Sequence, residues 1–205
     1  MRSPFTRYIF SELNGEKIRI LKQRLLADQE SMDVRFLEGE TNANVNQIVD
    51  LIPKPTSRER VLTFCLVDPY RLADIRFGTF VTFAKARIVD FLVLIPSGMD
   101  ASRNQKLYLA GRSDALDKFL GRDDWRKDWI SGRGPARFSD FVVEQFGISM
   151  RRLGYKYDGL QQAHLMTTTK RRLPIYHLVM FSKSALGVDF WEKCRAAAKL
   201  QQPLF

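Results

Sequence analysis

The stretch Leu62–Leu72, LTFCLVDPYRL, decides how the rest of the chain is read. It opens as an apolar run from Leu62 to Val67, interrupted only by Thr63, and then meets Asp68, Pro69 and Tyr70. An apolar run of that length reads as a strand buried on both faces. Asp-Pro stops a strand well, because proline offers no N–H to a ladder and restricts the residue before it. Open α/β sheets also place their chemistry just beyond the carboxyl ends of their strands. Asp68 and Tyr70 are therefore either a stop signal or part of a site.

The flanking segments alternate in character. Residues 7–12, RYIFSE, read as a strand that leaves through Glu12, Leu13, Asn14 and Gly15. A helix is expected over 16–28, with Ile18, Leu21 and Leu25 on one face. MDVRFLEG, 32–39, is a second strand with Met32, Val34 and Phe36 facing the core. Val45, Ile48, Val49 and Ile52 occupy the i, i+3, i+4, i+7 positions of an amphipathic helix over 43–52. After the polar loop KPTSRER at 54–60 and the strand at 61–67 comes a helix over 73–86, with Phe77, Phe80, Val81 and Ala84 on one face. IVDFLVLIP, 88–96, is another buried-type strand. Apolar strands alternating with amphipathic helices predict a mostly parallel sheet flanked by helices, a Rossmann-like α/β fold.

The second half is less regular. Residues 97–136 are polar and rich in Gly, Asp and Arg, and read as an irregular insert or lid with short helical pieces near 113–120 and 122–130. A helix over 137–153 carries Phe138, Phe141, Val142, Phe146 and Met150. Strand-like runs at 160–169 and 174–182 predict an antiparallel pair, and a last helix over 185–199 is expected to bury Leu186, Phe190, Cys194 and Ala197. With no linker or repeat in view, a single domain over 1–205 is expected.

Composition narrows the classes. Hydrophobic content of 45% and charged content of 27% are those of an ordinary globular protein. The longest apolar stretch, FLVLIP at 91–96, is far short of a bilayer span, and MRSPFTRYIF lacks the apolar core of a signal peptide. A cytoplasmic protein without a membrane partner is expected. Cys65 and Cys194 read as buried free thiols, and His164 and His177 as structural histidines, none having a partner at ligand spacing. The net charge of +10 favours an anionic partner, nucleic acid first, although many basic proteins are merely soluble cations.

YIFSELN at 8–14, FLEGETN at 36–42 and VDPYR at 67–71 resemble the ends of the second, third and fourth strands of the class I S-adenosylmethionine-dependent methyltransferase fold. With VDFLVLIP, KFLGRDDW at 118–125 and PIYHLVMFSKSALGVDFW at 174–191, the chain from residue 4 onward is similar to the three-Cys-motif partner (TcmP) family. The resemblance implies a bacterial protein with a neighbouring three-Cys-motif protein as partner, and S-adenosylmethionine as cofactor. The chain departs from the fold in one respect: it begins at what should be the second strand, and no Gly-rich turn follows an early strand. In the usual strand order the first strand lies between the second and the fourth, so its loss leaves two bare edges. The strand at 7–12 could pair with that at 61–67, a partner chain could fill the gap, or Met1 could be an internal start. The last is the expectation favoured, making the fold N-terminally incomplete.

On that resemblance Glu12 would accept hydrogen bonds from the cofactor ribose, and Glu40, near Asn42, would lie by the adenine. Glu38 and Glu40 also fit ordinary acids at a helix N-terminus. Asp68 would touch the cofactor or the target, with Asp68 and Tyr70 as catalytic candidates. The Asp-Pro-Tyr stretch has one proline where amino-methyltransferases of this fold have two. Residues 119–137 interleave Trp125 and Trp129 with cations, as single-stranded nucleic acid binders do, although tryptophans four apart on a helix more often face a core. Arg71, Arg126, Lys127, Arg133, Lys170, Arg171 and Arg172 are the candidate nucleic-acid contacts. The expected function is S-adenosylmethionine-dependent methylation of nucleic acid. Two alternatives stand beside it: a degenerate, non-catalytic module working with a partner, and a plain basic nucleic-acid binder.

Overall fold

A computed structural model describes residues 5–28 and 33–200. The protein is a mixed α/β structure, and its residues divide into two compact units, one drawn from 1–61 with 85–87 and the other from 62–84 with 88–205.

The first unit is a β-α-β-α run. Strand β1 (Arg7–Glu12) pairs in parallel with β2 (Asp33–Glu38), so that Glu12 stands beside Glu38 at their carboxyl ends. Helix α1 (Gly15–Asp28) connects them, and α2 (Thr41–Leu51) follows β2. Asn14 starts α1 by accepting the backbone N–H groups of Glu16 (2.9 Å) and Lys17 (3.2 Å), two of the donors that a helix start leaves unpaired. Ile18, Val45, Ile48, Val49 and Ile52 are its buried apolar side chains, the helical spacing read from the sequence. Arg87 closes the end of α2 by donating to the carbonyls of Val49 and Ile52. Met32 lies outside the described residues.

The second unit holds a four-stranded sheet in the order β3-β4-β6-β5, where β3 is Thr63–Val67, β4 Val89–Ile95, β5 His164–Thr167 and β6 Pro174–Phe181. β3 and β4 are parallel, while β6 runs antiparallel to both β4 and β5. The expected antiparallel pair is thus present, but the sheet is mixed and β1–β2 forms a separate sheet, so a single, mostly parallel sheet is not what the chain builds. Helices α3 (Phe77–Ala86), α4 (Gln105–Leu109), α5 (Ala115–Leu120), α6 (Trp125–Ile130), α7 (Phe138–Arg152) and α8 (Ala185–Leu200) complete the unit.

Its core lies on the face of the sheet that carries Phe91, Val93, Ile95, Val179 and Phe181, all fully buried. Against it packs α7, buried on most of its circumference as a central helix must be. The Phe146 ring sits at the middle, 4.6 Å from Phe119, 5.3 Å from Phe80, 5.5 Å from Phe181 and 6.0 Å from Phe77, mostly in edge-to-face geometry. Polar groups on α7 are matched: Ser149 donates to the Leu120 carbonyl (2.7 Å), and Gln145 accepts from Arg122 (2.9 Å).

Two burial expectations are corrected. β3 is an edge strand, and the outward side of its run is open: Leu62 is 86% exposed, Phe64 43% and Leu66 58%. A continuous apolar run does not by itself say whether both faces are covered. On α8 the stripe of Leu186 and Phe190 faces solvent, 78% and 58% exposed. The face that packs carries Gly187, where a Cβ would overlap the Ser182 hydroxyl, and Trp191, whose indole N–H donates to the Gln162 carbonyl (2.7 Å). Close approach at glycine, not the larger apolar stripe, chose the face.

Candidate functional site

In the first unit the candidate acids gather at the carboxyl ends of β1 and β2. Glu12 Oε1 accepts the Asn14 N–H (2.9 Å), with the Lys17 ammonium 4.0 Å away. The Glu38 carboxylate lies over Gly15, at the first turn of α1, where a Cβ would overlap it. A carboxylate there is stabilised by the partial positive charge of the helix start. Glu40 is the N-cap residue of α2; its carbonyl accepts from Ala43 and Asn44, and its Oε1 accepts from Asn42 (2.9 Å). Beside Glu12 opens a cleft of about 470 Å³, lined by Phe10, Ser11, Glu12, Lys17, Ile20, Leu21 and Arg24. The unit therefore brings Glu12, Glu38 and Glu40 to one end of its sheet, and only Glu12 of the three lines the cleft.

In the second unit Asp68 and Tyr70 follow β3 and are exposed. The loop they open is fixed from below. Asp100, 5% exposed, accepts the Leu72 N–H (2.7 Å), the Tyr108 hydroxyl (2.6 Å) and the Asn104 amide (2.6 Å). Asp100 belongs to a π-helical turn, Ser97–Ala101, that leaves the end of β4. One buried carboxylate thus ties the turns after two adjacent parallel strands together. Burial, reinforced by the Asp100 carboxylate, pushes the Tyr108 hydroxyl well above the usual phenol range. Arg71 closes a short cap with Asp74, whose Oδ2 accepts the Arg71 N–H (2.8 Å).

The same turn carries a cluster that sequence reasoning missed. Ser97 Oγ lies 2.7 Å from His177 Nδ1, and His177 Nε2 lies 3.7 Å from Asp140 Oδ1. Ser139 Oγ donates to Asp140 Oδ1 (3.2 Å), and Arg137 donates to its Oδ2 (2.8 Å). The Asp140 carboxylate faces Nε2 from beyond hydrogen-bond distance, and the Ser97–His177 bond takes its direction from the imidazole tautomer. Burial holds the His177 pKa below the ordinary imidazole value, the Arg137 charge adds to this, and Asp140 opposes it. Ser97 is fully buried, so its bond to His177 is a tie beneath the surface and not a nucleophile presented to a substrate. The structural role expected for His177 is kept, but its serine partner stands 80 residues away in sequence.

The basic candidates separate by what they already hold. Arg126 is committed to the fold, donating to the Tyr108 carbonyl (2.9 Å) and Asp117 (2.8 Å) over the Trp125 ring, and it leaves the set of nucleic-acid contacts. Lys127 is exposed, Arg133 is 3.5 Å from Asp128, and Lys170, Arg171 and Arg172 stand exposed at the tip of the β5–β6 hairpin. Arg172 there has φ 48°, the left-handed conformation of a tight turn. The two tryptophans part company. Trp125 is fully buried and donates to Asp117 (2.7 Å), whereas Trp129, half-buried, lines a second cleft.

Cys65 and Cys194 are free, and burial pushes the Cys65 thiol up to about 12. Among the described residues no group of three or more His, Cys, Asp or Glu could hold a metal ion, and no helix is long and apolar enough to cross a membrane. No protein-family model, curated protein or solved structure matches the chain.

Proposed function

We propose that the chain is a methyltransferase-like protein of the TcmP kind that binds S-adenosylmethionine at the Glu12 end of β1 and acts on nucleic acid. The observation that carries this reading is where the sheets stop. β1 is an edge of the two-stranded sheet, as β2 is, and β3 is one of the two edges of the four-stranded sheet; β1 and β3 are the strands that resemble the second and fourth of the methyltransferase fold. Those are the two strands that flank the first strand in that fold, and each has an edge free of backbone pairing here. The antiparallel β6 and the acids at the ends of β1 and β2 support the same reading. In it Glu12 accepts from the ribose hydroxyls, and Asp68 and Tyr70 approach the target.

Calorimetric titration of S-adenosylmethionine into the chain and its Glu12→Ala variant tests this. Loss of two hydrogen bonds to a charged acceptor should weaken binding by about tenfold or more. Absence of binding to the wild type, or equal affinity in the variant, would overturn the cofactor reading. A second reading, a non-catalytic module docked on a partner, is favoured by the open apolar side of Leu62, Phe64 and Leu66. Light scattering of the chain mixed with its neighbouring three-Cys-motif protein tests that reading, and a Phe64→Ser variant should dissociate the pair.

A further inference from the structure

We infer that the second unit carries a nucleotide-binding cleft between the turn after β4, the start of α7 and the start of β6, which takes a nucleoside phosphate stacked on Trp129. The cleft measures about 570 Å³, within the range of small-molecule sites, and is lined by Gly98, Ser102, Arg103, Gln105, Trp129 and Arg137 among others. The inference shares with the cofactor reading only the nucleic-acid partner, since Glu12 and its cleft lie in the other unit.

The lining matches both halves of such a ligand. Trp129 meets Phe138 and Phe141 at steep interplanar angles of 86° and 66°, each with its ring centroid 5.1 Å away, so the half-buried indole is braced on two rings before a ligand arrives. A fixed aromatic plane stacks on any base, at little entropic cost. Arg103 and Gln105 bring donors that have no hydrogen bond or ion pair among the described residues. Arg137 brings a second guanidinium, oriented by Asp140 through two of its nitrogens, Nε and Nη2, both 2.8 Å from Oδ2. Asp140 is in turn set by Ser139 and faces His177, which Ser97 anchors. The half of the guanidinium held by Asp140 orients Arg137, while its side chain, 70% exposed, can still reach a phosphate.

The surroundings extend the site in one direction. Leu173 and Pro174 form part of the lining, and Lys170, Arg171 and Arg172 lie immediately before them at the exposed hairpin tip. A single strand with one nucleotide in the cleft would run its next phosphates along these cations.

The test uses fluorescence anisotropy with a fluorescein-labelled ten-residue oligo(dT), and calorimetry with AMP and UMP, at low salt. Arg103→Glu should lower affinity by about tenfold or more, since one charge-assisted contact is replaced by repulsion. Lys106→Glu, an equal change of charge on an exposed residue outside the lining, should change it by about threefold or less, a loss of general attraction only. Binding of the oligonucleotide alone places the ligand's source in a nucleic-acid strand, and binding of the mononucleotides as well places it in free nucleotides; both uphold the cleft. No binding of either ligand, or equal losses in the two variants, would overturn it. S-adenosylmethionine binding, read at Glu12, should be unchanged by Arg103→Glu, so the two readings fail separately.

Discussion

Replacing Asp100 with Ala should uncouple the turns after β3 and β4. The carboxylate accepts three hydrogen bonds of 2.6–2.7 Å from Leu72 N–H, Tyr108 O–H and Asn104. Leu72 is fully buried and Tyr108 is 3% exposed, so neither donor can turn to water when the acceptor is removed. A buried donor left without a partner costs about 1–3 kcal/mol, and two of them with the lost Asn104 bond sum to about 3–5 kcal/mol. Asp100→Asn keeps one oxygen for Leu72, and the Tyr108 hydroxyl can rotate to accept from the new amide, so its cost should be about 1–2 kcal/mol. Urea unfolding followed by tryptophan fluorescence reads this directly, because Trp125, Trp129 and Trp191 all lie in the second unit. An alanine variant destabilised by less than about 1 kcal/mol would refute the reasoning, since that is the size of a solvent-exposed hydrogen bond. So would an asparagine variant as damaged as the alanine one.

Beyond the Glu12→Ala and Arg103→Glu titrations, two further outcomes are expected. His177 has its pKa lowered in the folded state, so the unfolded chain binds more protons below the ordinary value of about 6.5, and stability is full above that pH and lost as pH falls through the folded value. Urea midpoints measured from pH 7.5 to 5 should fall, with a slope of at most about 1.4 kcal/mol per pH unit for one proton, and His177→Asn should flatten that slope. Asp140, Arg137 and His164 face this group and are kept in the variant, while Asp33, Asp114 and Asp124, held low by Arg7, Lys118 and Arg122, act only below the carboxylate range near pH 4. An unchanged slope would remove His177 as the cause. On α8, Trp191→Ala should cost about 3–5 kcal/mol through the lost packing and the orphaned Gln162 carbonyl, whereas Leu186→Ser should change stability by no more than about 0.5 kcal/mol. Equal effects of the two in thermal unfolding would mean that the wrong face of the helix has been assigned to the core.

The sequence by itself determined most of the elements and their order, though not α4 or the π-helical turn at Ser97–Ala101. Periodicity at 3.6 residues located α2 and α7, and apolar runs located β3 and β4, because local patterning reflects which face of a segment meets a core. It also placed Glu12 and Asp68 at strand ends and the antiparallel pair near the carboxyl end. The tertiary structure decided which strands pair, and it divided them into two sheets where one was expected. It decided that Trp125 enters the core while Trp129 lines a cleft, although four-residue spacing puts both on one side of α6. It turned Leu186 and Phe190 of α8 outward, because a glycine opposite Ser182 permits closer packing than the larger stripe would. It brought Ser97, Asp140 and His177 together from a turn, a helix and a strand. Residues 97, 140 and 177 carry no spacing signal, since contact between distant segments is set by three-dimensional packing and hydrogen-bond satisfaction, neither of which leaves a period in the chain.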